Sequence, residues 1–386
     1  MTSVWKWVFL TLSVALCLIA VEVAARILEP PSPGFPTFAN FTANHIIGLG
    51  VFDEELGWTP TPNTRAPGYI IDDRGYRITE NQIEYRSQAM ILAVGDSYTY
   101  GAEVSNKDTW PSILERKLRV RVLNGGVGGY GLGQMLTRVV RTLAFASPHT
   151  ILVAVVSEDL DRTRLRVRHG FNQPYFRLDA SGDLQLVRAI DNRLTNEPDL
   201  FKRVFGYSYA AHLFMTGLFS DYWIRGTIYD FRYADVDLLA VSRKIVDELK
   251  REVSDIRHIN LVFVLLPSSW IDFNMVTNQV PVLHAIADYM AQTARRSQGI
   301  YVVDMQNGLK RLSGSDEERK RLFGVRGHFN ETGTELVAAT LASFMDENGD
   351  VIEEAIAPYL FDGARPRRSD ARPPATTLAQ PSRLQP

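Results

Sequence analysis

Residues 90–101 read Met-Ile-Leu-Ala-Val-Gly-Asp-Ser-Tyr-Thr-Tyr-Gly. Met90 to Val94 is an unbroken apolar run, the mark of a strand buried on both faces of a sheet. It closes on Gly95, and a hydroxyl, Ser97, follows within one short turn. Four later runs repeat the pattern. Val120–Leu123 ends at Asn124-Gly125-Gly126, Ile151–Val156 at Ser157-Glu158-Asp159, Leu261–Leu266 at Pro267, and Ile300–Val303 at Asp304. Most are separated by helical spacing, which predicts an α/β fold: a parallel sheet covered by helices on both sides. Such sheets bind ligands at the carboxyl ends of their strands. The polar residues closing these runs are therefore the candidates for chemistry.

Outward from this core the chain divides into four parts: an apolar segment over 4–28, a stalk and short-strand lead-in over 29–87, the main domain over 88–362, and a tail over 363–386. Residues 29–37 hold four prolines and read as a stiff stalk. Residues 50–87 carry turn punctuation, ending in Asp73-Arg74-Gly75, and read as short strands decorating the main domain. The stretch 163–245 is too long for an ordinary crossover. Its aromatic and arginine content suggests a helical insertion, either shaping a pocket at the strand ends or packed on the side of the domain. The tail combines five Arg and five Pro with few apolar residues and is expected to be disordered.

The amino terminus has its own signature. Trp7 to Val21 contains no charge, with Lys6 before it and Glu22 and Arg26 after it. The uncharged run is shorter than the ~20 residues that span a bilayer, but snorkelling of Lys6 and the apolar stretch to Leu28 lengthen it. Trp5 and Trp7 stand where an aromatic interfacial anchor belongs. We read a transmembrane anchor, single-pass, with the following domain extracytoplasmic (periplasmic in a Gram-negative cell). A signal peptide cleaved near Val23-Ala24-Ala25 is the rival reading, and a buried core helix the blander one. Forty-two basic against 44 acidic residues leave a net charge of −2, which offers no electrostatic footprint for nucleic acid. The single cysteine, Cys17, rules out an internal disulfide and a cysteine-based metal site.

Three blocks carry candidate chemistry. Ser97 stands just beyond the first strand, where its hydroxyl faces the crevice and its backbone N–H can meet a developing oxyanion; a plain helix N-cap is the alternative. The second block, Asn124 to Gly131, holds five glycines and lets backbone approach a substrate closely. It matches neither phosphate-loop pattern, so nucleotide binding lacks support. In the third, His328 precedes an amphipathic helix and is placed to act as a general base, with a surface or capping role as the alternative. No histidine pair shows metal-ligand spacing, and no cofactor is expected.

Together these blocks resemble the SGNH/GDSL hydrolase superfamily over roughly residues 88–345. The transmembrane segment, the Leu56-Gly57-Trp58 lead-in and the Arg74-Gly75-Tyr76-Arg77 turn are similar to a membrane-bound bacterial subgroup. The resemblance implies a flavodoxin-like three-layer α/β sandwich. It makes Ser97 the nucleophile, His328 its base, and Ser97 and Gly129 oxyanion-hole donors. It also exposes two departures. Glu158 stands where the family has an oxyanion-binding Asn, and an ionised carboxylate cannot donate. Arg326 and Val325 occupy the positions from which a family Asp orients the histidine. A Ser97–His328 dyad is therefore expected, with Asp304 and then Asp159 as candidate orienting acids. The implied function is a serine esterase or deacylase acting on acyl, especially acetyl, esters of a small substrate or an envelope or exported glycan. An O-acyltransferase using the same site, or an impaired glycan-binding or assembly protein, are the alternatives.

Overall fold

The computed structural model describes residues 3–28, 50–79, 82–85, 88–192, 199–226, 230–268, 280–305 and 320–346. The proline-rich stalk at 29–37 and the tail at 363–386 lie outside the described residues. Helix α1 (Ser3–Leu28) is followed by two small hairpins, β1 (Val51–Asp53) with β2 (Gly57–Thr59), and β3 (Arg65–Ala66) with β4 (Tyr69–Ile70). The α/β body then begins with β5 (Met90–Gly95), α2 (Ser97–Tyr100), α3 (Trp110–Leu118), β6 (Arg121–Asn124), α4 (Leu132–Leu143), β7 (Thr150–Val155) and α5 (Ser157–Arg162).

A mixed excursion follows: β8 (Leu165–Arg168), β9 (Phe171–Asn172), β10 (Tyr175–Leu178), β11 (Leu184–Val187), α6 (Leu200–Phe205), α7 (Tyr209–Leu218), α8 (Ser220–Ile224) and β12 (Arg232–Tyr233). The body resumes with α9 (Leu238–Leu249), β13 (Asn260–Leu265), α10 (Val280–Arg296), β14 (Ile300–Asp304) and α11 (Glu331–Asp346).

The five apolar runs are the five strands of one parallel sheet, ordered β14-β13-β7-β5-β6. Numbered within the sheet, that order is 2-1-3-4-5, the flavodoxin-like winding. Alternation along each strand feeds two cores. Leu92, Val94, Ile151, Val153, Leu261 and Phe263 face α4, α9 and α10, while Ile91, Ala93, Leu152, Ala154, Val262 and Val264 face α3 and α11. The winding direction reverses between β5 and β7, which opens a crevice at their carboxyl ends.

The segment 163–245 differs from the expected helical insertion. Leu165 and Val167 are buried while Arg166 is exposed, the period-two pattern of a strand. Tyr175–Leu178 and Leu184–Val187 pair across a turn closed by Asp179, whose carboxylate accepts the Ser181 and Asp183 N–H groups at 2.8 and 3.0 Å. Among the described residues of the segment, α6–α8 form its helical unit, and from Leu238 the chain is already the crossover helix α9 on the sheet. Aromatic and arginine content alone does not separate these strands from helices.

Candidate active site

Strand β5 delivers Ser97 to the crevice through a tight turn. An added Cβ at Gly95 would lie 2.1 Å from Thr99 Oγ1 and 2.7 Å from the Ala154 carbonyl, so the approach of β5 to the α2 turn requires glycine there. Asp96 caps α2, accepting the Tyr98 N–H at 2.9 Å. Its other oxygen accepts from Arg162 at 3.1 Å, and Arg162 also donates to Asp159 at 2.6 Å. Burial first, then the charge of Asp96, pushes the Asp159 carboxyl well above the usual carboxylate range.

His328 arrives from the far end of the chain, on a loop closed by the Phe323–Phe329 bridge. Tyr98, the residue after Ser97, positions this loop. Its hydroxyl donates to the Gly327 carbonyl at 2.9 Å, and its ring packs against those of His328 and Phe329. The result is a hydrogen bond of 2.9 Å between Ser97 Oγ and His328 Nε2.

The carboxylate at the other ring nitrogen is Glu103, not Asp304 or Asp159. Glu103 Oε1 lies 3.3 Å from His328 Nδ1 and accepts the His328 backbone N–H at 3.0 Å. Burial would raise its carboxyl, but the N–H groups of Arg326 and His328 and the imidazole outweigh it and hold Glu103 below the ordinary glutamate range. The carboxylate brought beside the ring is one that the expected Ser97–His328 dyad and its candidate acids did not include. Asp159 is committed to Arg162 and the Val156 N–H, and Asp304 is buried at the end of β14. Sequence reasoning missed Glu103 because the acid sits six residues after the serine, on the α2 side of the crevice. The one sequence cue is Gly324, where a Cβ would fall 2.3 Å from Glu103 Oε2.

The turn bearing Glu103 is gripped by Arg77. That buried guanidinium donates to the carbonyls of Tyr100, Gly101 and Val104 at 2.7, 2.5 and 2.7 Å, and to Asn106 at 2.7 Å. The lead-in segment thereby supports the site directly. Trp58 adds a bond from its indole N–H to the Gly128 carbonyl at 3.2 Å, and Tyr130 returns one to the Trp58 carbonyl at 2.5 Å.

The model of the GDSL-like lipase/acylhydrolase family matches residues 93–336, more than half of the chain. The chain belongs to that family. Membership brings ester-hydrolase chemistry in general. A comparison with curated proteins finds no match. Among solved structures, a G-D-S-L family lipolytic protein from Veillonella parvula is 16% identical, covering 67% of this chain and 99% of its own, with a TM-score of 0.37. The lipase/acylhydrolase from Enterococcus faecalis is 11% identical over 66% of this chain and 93% of its own, TM-score 0.37. An acetyl xylan esterase, AlAXEase, is 10% identical over 66% and 99%, TM-score 0.37.

The glycine loop lies beside Ser97 in this GDSL chain. Gly129 adopts a φ of 82°, and a Cβ there would overlap the Arg168 guanidinium at 1.8 Å. The N–H groups of Ser97 and Gly129 have no hydrogen-bond partner among the described residues, and both residues line a cavity of about 300 Å³. Glu158 is turned to other partners, accepting from Ser157 at 3.0 Å and Ser268 at 2.6 Å, and does not line that cavity. Arg168 does. It donates to the Gly129 carbonyl and has no carboxylate partner among the described residues. Burial, reinforced by the charge of Arg162, pushes its pKa below the ordinary arginine range. Trp58, Pro60, Tyr100, Val127 and Phe171 make the remaining walls largely apolar.

Proposed function

We propose that this protein is a membrane-anchored serine esterase that removes short acyl groups, acetyl above all, from a glycan of the cell envelope or an exported polysaccharide. The observation that carries the reading is the hydrogen-bonded Ser97–His328–Glu103 arrangement, whose Ser97 and His328 line the cavity. Ser97 Oγ attacks the ester carbonyl carbon as its proton passes to His328 Nε2. Glu103 holds the ring with Nδ1–H facing it and stabilises the imidazolium. The carbonyl oxygen gains charge and is met by the Ser97 and Gly129 N–H groups, with Arg168 supplying the donor that Glu158 cannot. Collapse breaks the bond to the alkoxide leaving group, which takes the proton from Nε2. Water then repeats the sequence on the acyl-enzyme, releasing the acid and restoring Ser97.

An impaired binding protein is the reading that Glu158 and Arg326 favour. Glu103 supplies the acid that Arg326 lacks, which favours turnover. The aromatic walls suit a sugar ring, whose C–H faces pack on indole and phenyl surfaces. For the anchor, α1 offers 25 residues of membrane-compatible length from Val4 to Leu28. Glu22 ties that helix to the body, accepting the Tyr209 and Ala210 N–H groups at 2.9 and 3.0 Å. A helix with such partners favours a retained anchor over a cleaved signal.

The test is acetate release from O-acetylated polysaccharide and from p-nitrophenyl acetate, comparing the parent with Ser97→Ala. Release from both that disappears in the variant is the expected result. No release from either by the folded parent would count against the esterase reading.

A further inference from the structure

The Glu22 contact places α7 at a particular height. Glu22 directly follows Val21, is the first charge after the uncharged run of α1, and lies six residues before the membrane-compatible span ends at Leu28, in its outer turns. At this level its carboxylate caps the start of α7, accepting also from Ser208 Oγ at 2.8 Å, while Arg26 lies 5.8 Å from the Tyr209 ring centroid. From Tyr209 to Phe219 the sequence, YAAHLFMTGLF, carries no acidic residue, lysine or arginine. An apolar stretch of 10–14 residues ordinarily belongs to a core helix or to a segment at a membrane interface.

Its side chains exclude the core assignment. Phe214 is 59% exposed, Leu218 65% and Phe219 53%, and α6 adds Leu200 at 77% and Val204 at 57%. Trp223 and Met215 face inward and hold α7 and α8 together, with the Trp223 indole N–H donating to His212 at 3.0 Å. The unit is therefore braced internally while its apolar face is left outside. Exposed large apolar side chains gathered on one small helical unit mark an interaction site.

We propose that α6–α8 form a foot that seats in the outer surface of the bilayer beside α1, burying Leu200, Val204, Phe214, Leu218 and Phe219 among the lipid headgroups and upper acyl chains. This inference rests on the reading of α1 as a membrane anchor. Continuity decides the occupant, because α7 is joined to α1 at Glu22, in the outer turns of the membrane-compatible span. Interfacial helices bind this way, with an apolar face a few ångströms below the headgroups. A second attachment would restrain the body from swivelling on a single helix and hold the Ser97 cavity at a set orientation above the membrane.

The test uses the full chain in mixed phosphatidylethanolamine–phosphatidylglycerol vesicles. A nitroxide on the native Cys17 reports on α1. In a Cys17→Ser background, nitroxides on Phe214→Cys and Leu218→Cys report on the foot, and one on Val140→Cys, exposed on α4, reports on water. Near-UV circular dichroism matching the parent confirms folding, and two independent foot positions guard against a local defect. The expected result is that labels at 17, 214 and 218 collide more often with oxygen than with a water-soluble nickel chelate, with the order reversed at 140. If Cys17 reports lipid while both foot positions report water, the foot is refuted and the anchor stands. If Cys17 itself reports water, the anchor reading fails and takes the foot with it. Spin–spin broadening at 214 and 218 that disappears on dilution with unlabelled protein would assign the face to a second copy instead, and would also overturn the proposal.

Discussion

One carboxylate oxygen of Glu103 serves two groups of His328, the backbone N–H at 3.0 Å and ring Nδ1 at 3.3 Å. The same atom therefore fixes where the loop sits and how the imidazole is turned. Replacing Glu103 by Gln keeps the size and removes the charge that stabilises the imidazolium. We expect kcat to fall by as much as about 10⁴-fold with KM little changed, the loss seen when a triad acid is neutralised. Steady-state kinetics on p-nitrophenyl acetate checks this, and a KM rise with intact kcat would assign Glu103 to substrate binding.

Glu103 also gives stability a pH signature. Its folded-state pKa is depressed, so its contribution is complete above the unfolded glutamate value of about 4.3 and is lost as pH falls through the folded value. The melting temperature of the parent should exceed that of Glu103→Gln at about pH 5, and the margin should shrink below pH 4. Thermal melts across that range measure it. A margin that widens in acid would contradict the assignment.

Arg168 and Glu158 make opposite predictions although both depart from expectation at the oxyanion side. Arg168→Gln should lower kcat on a neutral acetyl ester by about 10²–10³-fold, the cost of one oxyanion donor. Glu158→Asn, at a side chain held by Ser157 and Ser268 away from the cavity, should leave kcat within about tenfold. If Arg168→Gln spares neutral esters and weakens only negatively charged ones, the guanidinium recognises a substrate anion instead.

Arg77 links the lead-in to the site. Removing it by Arg77→Met orphans the carbonyls of Tyr100 and Val104, leaves that of Gly101 with the Val104 N–H alone, and frees the turn that carries Glu103. A loss of about 3–5 kcal/mol is expected, from several buried acceptors left unpaired. Urea denaturation quantifies it, and a change under 1 kcal/mol would show that the turn holds without its clamp.

The body of the fold was open to reading because strands buried on both faces are written as short apolar runs, and each of the five ends at a residue that cannot continue one. Ser97 and His328 stood out for a related reason: each adjoins a regular element at the end where such sheets place their ligands. Glu103 could not be read this way. Its role depends on two turns, at 101–104 and 324–328, meeting across the crevice, and on Gly324 leaving room for its carboxylate. Arg168 was hidden differently. It ends a short strand in which arginines alternate with apolar residues, and only the packing of β8 against the glycine loop turns this one inward.

The central claim is that Ser97 is an activated nucleophile. The direct measurement is labelling of the full-length protein with a fluorophosphonate, followed by mass spectrometry of the modified peptide. Stoichiometric modification of Ser97 is expected, blocked by prior hydrolysable ester, slowed at least tenfold in Glu103→Gln and abolished in His328→Ala. Folded parent protein left unlabelled, or labelled at a serine other than Ser97, would contradict it.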